Sequence, residues 1–321
     1  MFFKYLMKWL ILITIIITIS SNSWFIYWLM MELNLLMFIP VMNSKKKNNA
    51  NTMISYFIIQ AFSSTLFFYS GMNFLFFKYQ IFNTMMTIAL LIKLAAIPFH
   101  FWLTGLSEMI SHNSLLIILT LQKFIPLFIL STLISKILII FALISSIFGS
   151  IFAINIKILK KILIFSSISH QGWMMTLIFI KSNFWLTYML IYSLLIFKIL
   201  LMLEENNSNS IMNFMQKNKN PSEKFSFSML MMSLGGMPPF LGFMIKFISV
   251  MIIIKFNNTM VMILILSSMI NIFFYIRMIS PNLFMFSMNL KNLLKIKHKT
   301  KNLIFNLNAL MSIFLINILM I

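Results

Sequence analysis

Five ionisable side chains stand inside long apolar runs, where charge is costly: Glu32 in WLMMELNLLMF, Lys93 in LLIKLAAIPFHFW, Lys123 in LTLQKFIPLF, Lys198 in LLIFKILLM and Lys246 in FLGFMIKF. Burying such a group at the centre of a membrane helix costs roughly 2.5 to 3.5 kcal/mol. Desolvation disfavours the charged form of acids and amines alike, which suits groups that take and release protons. Glu32 is the one acid at such depth and is the natural counter-charge to a buried lysine; a static ion pair is the plainer alternative. Lys198 lies about one and a half turns before Glu204 and Glu205, so its stem can simply snorkel to the surface. His170, in SSISHQGWM, suits a proton shuttle or a hydrogen-bonded core histidine equally. His100 falls near the end of a broken helix, His112 in a loop and His298 in a basic loop, and none of them suggests a metal or haem site.

Two of the helices that must carry these groups are marked as discontinuous. Pro98 follows Lys93 by five positions, and its missing N–H frees the carbonyl of Leu94 beside the lysine. Gly235, Gly236, Pro238 and Pro239 precede Lys246 and break the helix there. A broken membrane helix is tolerated where it lines a wet cavity. Pro126 lies within a turn of Lys123.

The remainder of the chain is solvent for these groups. Of 321 residues, 61% are hydrophobic and only 9% charged, with a mean hydropathy of +0.97. A soluble domain is about a quarter charged, so a soluble fold is excluded, and the lack of alternating polarity argues against a β-barrel. Apolar runs predict eleven membrane helices near 5–20, 24–42, 52–70, 81–104, 114–133, 136–155, 162–180, 184–203, 226–254, 259–280 and 302–320. The fold class is all-α integral membrane, in one domain spanning 1–321. Lys4 and Lys8 ahead of the first run lack a small-residue cleavage pattern after it, so that run reads as a retained span.

The net charge of +20 sits in short connections, which argues for topology and against nucleic acid. With eleven crossings, one side collects Lys4, Lys8, Lys45–Lys47, Lys157, Lys160, Lys161, Lys217, Lys219, Lys224 and the run from Lys291 to Lys301; the other holds Lys78, Lys136, Lys181 and Lys255. The positive-inside rule places the N-terminus on the inserting side, the matrix in a mitochondrion. Abundant Phe, Ile, Met, Asn and Lys with a single arginine, Arg277, fit AT-rich mitochondrial codons. No cysteine is available to hold an iron–sulfur cluster, and neither GxGxxG nor GxxxxGK[ST] occurs, so no nucleotide cradle is visible.

In order along the chain, the Glu32 stretch, KLAAIPFHFW at 93–102, LQKFIP at 121–126, LKKILIFSSISHQGWM at 159–174 and GGMPPFLGFMIKF at 235–247 resemble the subunit 2 family of mitochondrial NADH:ubiquinone oxidoreductase, respiratory complex I, in its short arthropod-like form. The resemblance covers nearly the whole chain. It implies an antiporter-like fold lacking three N-terminal helices of longer bacterial relatives, and a proton-transfer axis in which Glu32 pairs with Lys93, Lys123 bridges to the centre, and His170 connects towards Lys246. Lys198 has no counterpart in that pattern. The resemblance further implies proton translocation driven by redox chemistry elsewhere. FMN, iron–sulfur clusters and ubiquinone belong to partner subunits, this chain holds no cofactor, and its partners are other membrane-arm subunits and lipids, cardiolipin a candidate. The location implied is the mitochondrial inner membrane. A free-standing cation/proton antiporter is the alternative of another class, and a structural subunit with packing charges is a third.

Overall fold

The computed structural model describes residues 2–43, 49–133, 135–206, 221–238 and 240–293, and among these the regular structure is helical throughout. The helices are α1 (Phe2–Ser20), α2 (Trp24–Met42), α3 (Asn49–Phe77), α4 (Gln80–Lys93), α5 (Phe101–Leu106), α6 (His112–Leu119), α7 (Leu121–Thr132), α8 (Ile137–Ile154), α9 (Leu159–Phe179), α10 (Phe184–Glu205), α11 (Pro221–Gly235), α12 (Leu241–Ile253) and α13 (Asn258–Leu293). Eight helical stretches among the described residues are long and apolar enough to cross a membrane, α6 and α7 counting as one, and α4 and α12 are shorter apolar helices. The expected span at 302–320 and Pro239 lie outside the described residues.

The central post is α9. Its membrane-length window is 94% buried, whereas that of α1 is 17% buried. Helices α5, α7, α8, α10, α12 and α13 all pack against it. Without a hydrophobic drive between helices in lipid, close approach depends on small residues. Gly172 provides one such approach: a Cβ there would stand 2.7 Å from the Ala142 carbonyl oxygen and 2.8 Å from Ser146 of α8. Gly149 gives the reciprocal contact, 3.0 Å from the Ser169 backbone nitrogen. In the apolar interior the α9 hydroxyls bond back to their own helix, as Ser167 Oγ does to the Ile164 carbonyl at 2.6 Å.

Three expectations are corrected. The run 114–133 is not one straight helix, because Thr120, at φ −117° and ψ −81°, separates α6 from α7. Pro126, inside α7, has no N–H to give the Gln122 carbonyl, so one ladder bond is missing beside Lys123. The second correction is that 281–293 is helix rather than connection: α13 continues through Pro281 to Leu293, since one missing N–H removes only one ladder bond. Third, Lys160 is not a loop lysine. It sits in the first turn of α9, 6% exposed, and donates to the Ile110 carbonyl at 2.5 Å.

Candidate proton-transfer axis

Helices α4 and α11 end in the same way. After α4, Ala95 adopts φ +56°, its N–H donates to the Ile92 carbonyl at 3.1 Å, and the next N–H, of Ala96, reaches the Leu91 carbonyl at 3.0 Å. After α11, Gly236 adopts φ +83° and donates to Ser233 at 3.2 Å while Met237 reaches Met232 at 3.2 Å. This left-handed cap terminates a helix and satisfies some of its last carbonyls, and proline follows readily; here Pro98 and Pro238 do so. The carbonyls left over need other partners. The Lys93 carbonyl accepts from Gln60 Nε2 at 3.3 Å, and the Ile92 carbonyl, already bonded to Ala95, takes a second hydrogen bond from Trp102 Nε1 at 3.2 Å.

Lys246 uses the second helix end directly. Its Nζ donates to the Gly235 carbonyl at 2.7 Å, where the negative end of the α11 dipole favours a cation. Gly236 leaves the room it needs, since a Cβ there would lie 2.9 Å from both Nζ and Cδ of Lys246. The neighbouring carbonyl, of Leu234, faces the buried ring of His170. On its other side His170 Nδ1 shares a 2.8 Å hydrogen bond with the Tyr188 hydroxyl. Charge on His170 is felt by both Lys123 and Lys246, so the structure brings these three together around α9.

Lys123 is 3% exposed and fully satisfied: Nζ donates to Ser167 Oγ at 3.0 Å, to Gln171 Oε1 at 3.2 Å and to the Ser167 carbonyl at 3.3 Å. Towards the other flank it lines a small polar cavity with Lys93, Tyr56, Gln60, Trp102 and Gln122. An adjoining cavity is lined by Asn34, Gln60, Lys93 and Gln122, and Gln122 Nε2 donates to Asn34 Oδ1 at 3.0 Å. Each cavity is of the size of a single water molecule. Glu32 is half-buried on α2 and accepts a hydrogen bond from the Ser64 hydroxyl. It does not come within the 4 Å of an ion pair with Lys93, yet its charge acts on that lysine.

Lys93, Lys123, His170 and Lys246 are all less than a tenth exposed. Lys198 is half-buried on α10. Sequence reasoning missed Gln60, Gln122, Gln171, Ser167 and Tyr188. The amides were detectable as polar residues inside apolar runs; Tyr188 gave no signal, because a tyrosine in a membrane helix reads equally as packing or as an interfacial anchor.

Residues 76–273 match the domain family described as NADH:quinone oxidoreductase/Mrp antiporter, transmembrane. NADH-ubiquinone oxidoreductase chain 2 of Rhipicephalus sanguineus is 46% identical over 98% of this chain and 99% of its own length. This chain belongs to the NADH-ubiquinone oxidoreductase chain 2 family. The corresponding proteins of Anopheles gambiae and Mus musculus are 34% and 33% identical, covering 95% and 92% of this chain and 94% and 92% of their own lengths. Family membership and the apolar helices make it a multi-pass membrane protein. Among solved structures, a chain of respiratory complex I from Thermus thermophilus superposes with a TM-score of 0.78 at 19% identity, covering 86% of this chain and 69% of that one. A chain of the Mrp complex from Dietzia reaches 0.74 at 14% identity, covering 84% and 58%. These two likenesses describe the antiporter-like fold.

Proposed function

We propose that this chain is a proton-translocating subunit of the membrane arm of respiratory complex I, and that Glu32, Lys93, Lys123, His170 and Lys246 are its proton-transfer axis. The observation that carries this is the set of buried ionisable and amide side chains lying between the C-terminal ends of α4 and α11. Coupling is electrostatic: two unit charges about 10 Å apart at an effective dielectric constant of about 20 interact by roughly 1.7 kcal/mol, enough to shift a proton from one site to the next. A change of charge at Glu32 alters the stabilisation of Lys93, and the disturbance passes through Lys123 and His170 to Lys246. Water fills the gaps between them.

The same reading places eleven crossings in the mitochondrial inner membrane as one domain, with the N-terminus in the matrix and discontinuous helices at Pro98 and at Pro238 and Pro239. FMN, iron–sulfur clusters and ubiquinone reside in partner subunits, other membrane-arm subunits flank this chain, and lipids such as cardiolipin cover its remaining apolar surface.

The alternative reading is a free-standing cation/proton antiporter. Blue-native electrophoresis of gently solubilised mitochondrial membranes, with peptides of this chain located by mass spectrometry, separates the two. Co-migration with a very large band that oxidises NADH is the expected result. Migration alone or as a small oligomer would make the antiporter reading the better one.

A further inference from the structure

The contacts of Lys123 and His170 leave one chemical gap between them. Of the three acceptors on Lys123, a carbonyl and an amide oxygen can hold a proton's hydrogen bond but have no proton of their own to pass on. Only the third, the hydroxyl of Ser167, can receive a proton and release another. His170 presents the same choice. Its Nδ1 shares the 2.8 Å hydrogen bond with Tyr188; with the Tyr188 O–H as donor, Nδ1 is the acceptor and the ring hydrogen sits on Nε2, which has no hydrogen-bond partner among the described residues. The atoms able to exchange a proton with Lys123 and with His170 Nδ1 are therefore both hydroxyls.

Two further hydroxyls occupy the space around them. Tyr188 and Tyr192 stand one turn apart on the face of α10 that meets α9, their rings 5.9 Å and 5.1 Å from that of His170. Tyr192 faces Ser167, and Tyr275 of α13 faces Ser166; Tyr188, Tyr192 and Tyr275 all lie within reach of one another's charge. All three rings are at most 2% exposed, yet the hydroxyls of Tyr192 and Tyr275 make no direct hydrogen bond among the described residues. Leaving a buried hydroxyl unpaired costs about 1 to 3 kcal/mol. Buried water bridging these groups removes that cost.

We propose that the hydroxyls of Tyr192 and Tyr188, bridged by buried water, relay protons between Ser167 at Lys123 and Nδ1 of His170. The proposal rests on the reading of Lys123 and His170 as parts of one proton-transfer axis. The ammonium of Lys123 gives up a proton to the Ser167 oxygen, whose own hydrogen swings from the Ile164 carbonyl and leaves towards Tyr192. Each hydroxyl and water accepts one proton as it releases another. Tyr188 delivers one to Nδ1, and the proton on Nε2 departs for the neutral amine of Lys246. The net change is one proton lost by Lys123 and one gained by Lys246, with every hydroxyl neutral before and after. The step leaves His170 as its Nδ1–H tautomer, so rotation of the hydroxyls together with a flip of the imidazole ring resets the chain.

The test compares Y188F, Y192F and K123A in the assembled complex in proteoliposomes, reading NADH oxidation, internal acidification by a quenched dye, the KM for quinone and the solvent deuterium isotope effect. Y192F deletes a hydroxyl that makes no direct hydrogen bond among the described residues, so it preserves the fold even if Y188F assembles poorly. The expected result is coupled turnover about tenfold lower in each tyrosine variant, less than the full value of a positioned acid–base group because water substitutes in part. The isotope effect rises and the KM for quinone is unchanged, which a packing role would not produce. Unaltered turnover and isotope effect in Y192F, with K123A impaired, overturn the tyrosine relay alone. Full pumping in K123A as well overturns the axis beneath it.

Discussion

The Lys246 ammonium lies 2.7 Å from the carbonyl oxygen of Gly235, the residue that closes the helix preceding its own. A lysine charge is held at the C-terminal end of a broken helix, where unsatisfied carbonyls concentrate negative potential worth about 0.3 to 1 kcal/mol, and up to about 2 when partly buried. This arrangement needs Gly236 at φ +83° for two separate reasons, the left-handed backbone and the space beneath the lysine stem.

Gly236→Ala tests both. A left-handed alanine costs about 1 to 2 kcal/mol, and its Cβ would stand 2.9 Å from Lys246 Nζ, driving the ammonium off the Gly235 carbonyl. Complex assembly is expected to persist at somewhat lower thermal stability while dye-reported acidification falls. Wild-type acidification would show that this contact is dispensable for transport.

Gly242→Ala should behave differently. A Cβ at this position would lie 1.6 Å from the Ser233 carbonyl oxygen, a backbone atom that cannot swing aside, so α11 and α12 would have to part. The expected outcome is a severe drop in assembled complex on native gels. An assembled complex of normal abundance would mean that the two helices separate without loss.

Lys123→Ala and Glu32→Gln remove charge from the middle and the near end of the axis. The glutamine keeps an oxygen for the Ser64 hydroxyl, so only the charge is lost. Both variants are expected to assemble yet pump poorly, measured as acidification per NADH oxidised. Full pumping in both would remove the axis as an account of transport.

Lys160→Met probes a buried charge off the axis. The ammonium donates to the Ile110 carbonyl and ties the start of α9 to the segment before α6. Leaving that carbonyl unpaired costs about 1 to 3 kcal/mol, so the melting temperature of the complex should fall with acidification per NADH unchanged. The exposed Lys161–Glu108 pair beside it, at 2.5 Å, should matter less; Glu108→Gln is expected to cost less than about 1 kcal/mol.

Much of this protein is legible in one dimension. Long apolar runs fix membrane helices, because lipid offers backbone groups no partner and each segment must satisfy its own. That rule located α1, α2, α8, α9 and α10 to within a few residues. It failed at Thr120, where no glycine marks the break, and after Ser280, where Pro281 suggests an end that the helix does not take. Depth also singled out Glu32, Lys93, Lys123, Lys198 and Lys246, since charge in an apolar run is visible without knowing any contact.

What the sequence by itself determined was therefore the solvent, the helices and the ionisable groups that they carry. Only the tertiary structure decided who meets whom. When nearly every face of every helix is apolar, no hydrophobic stripe reveals which side turns inward, so nothing in the chain announces that α9 is the central post or that Lys123 closes on Ser167 and Gln171. Those partners lie more than forty residues from Lys123 in sequence, and their hydrogen bonds form only where α7 packs against α9.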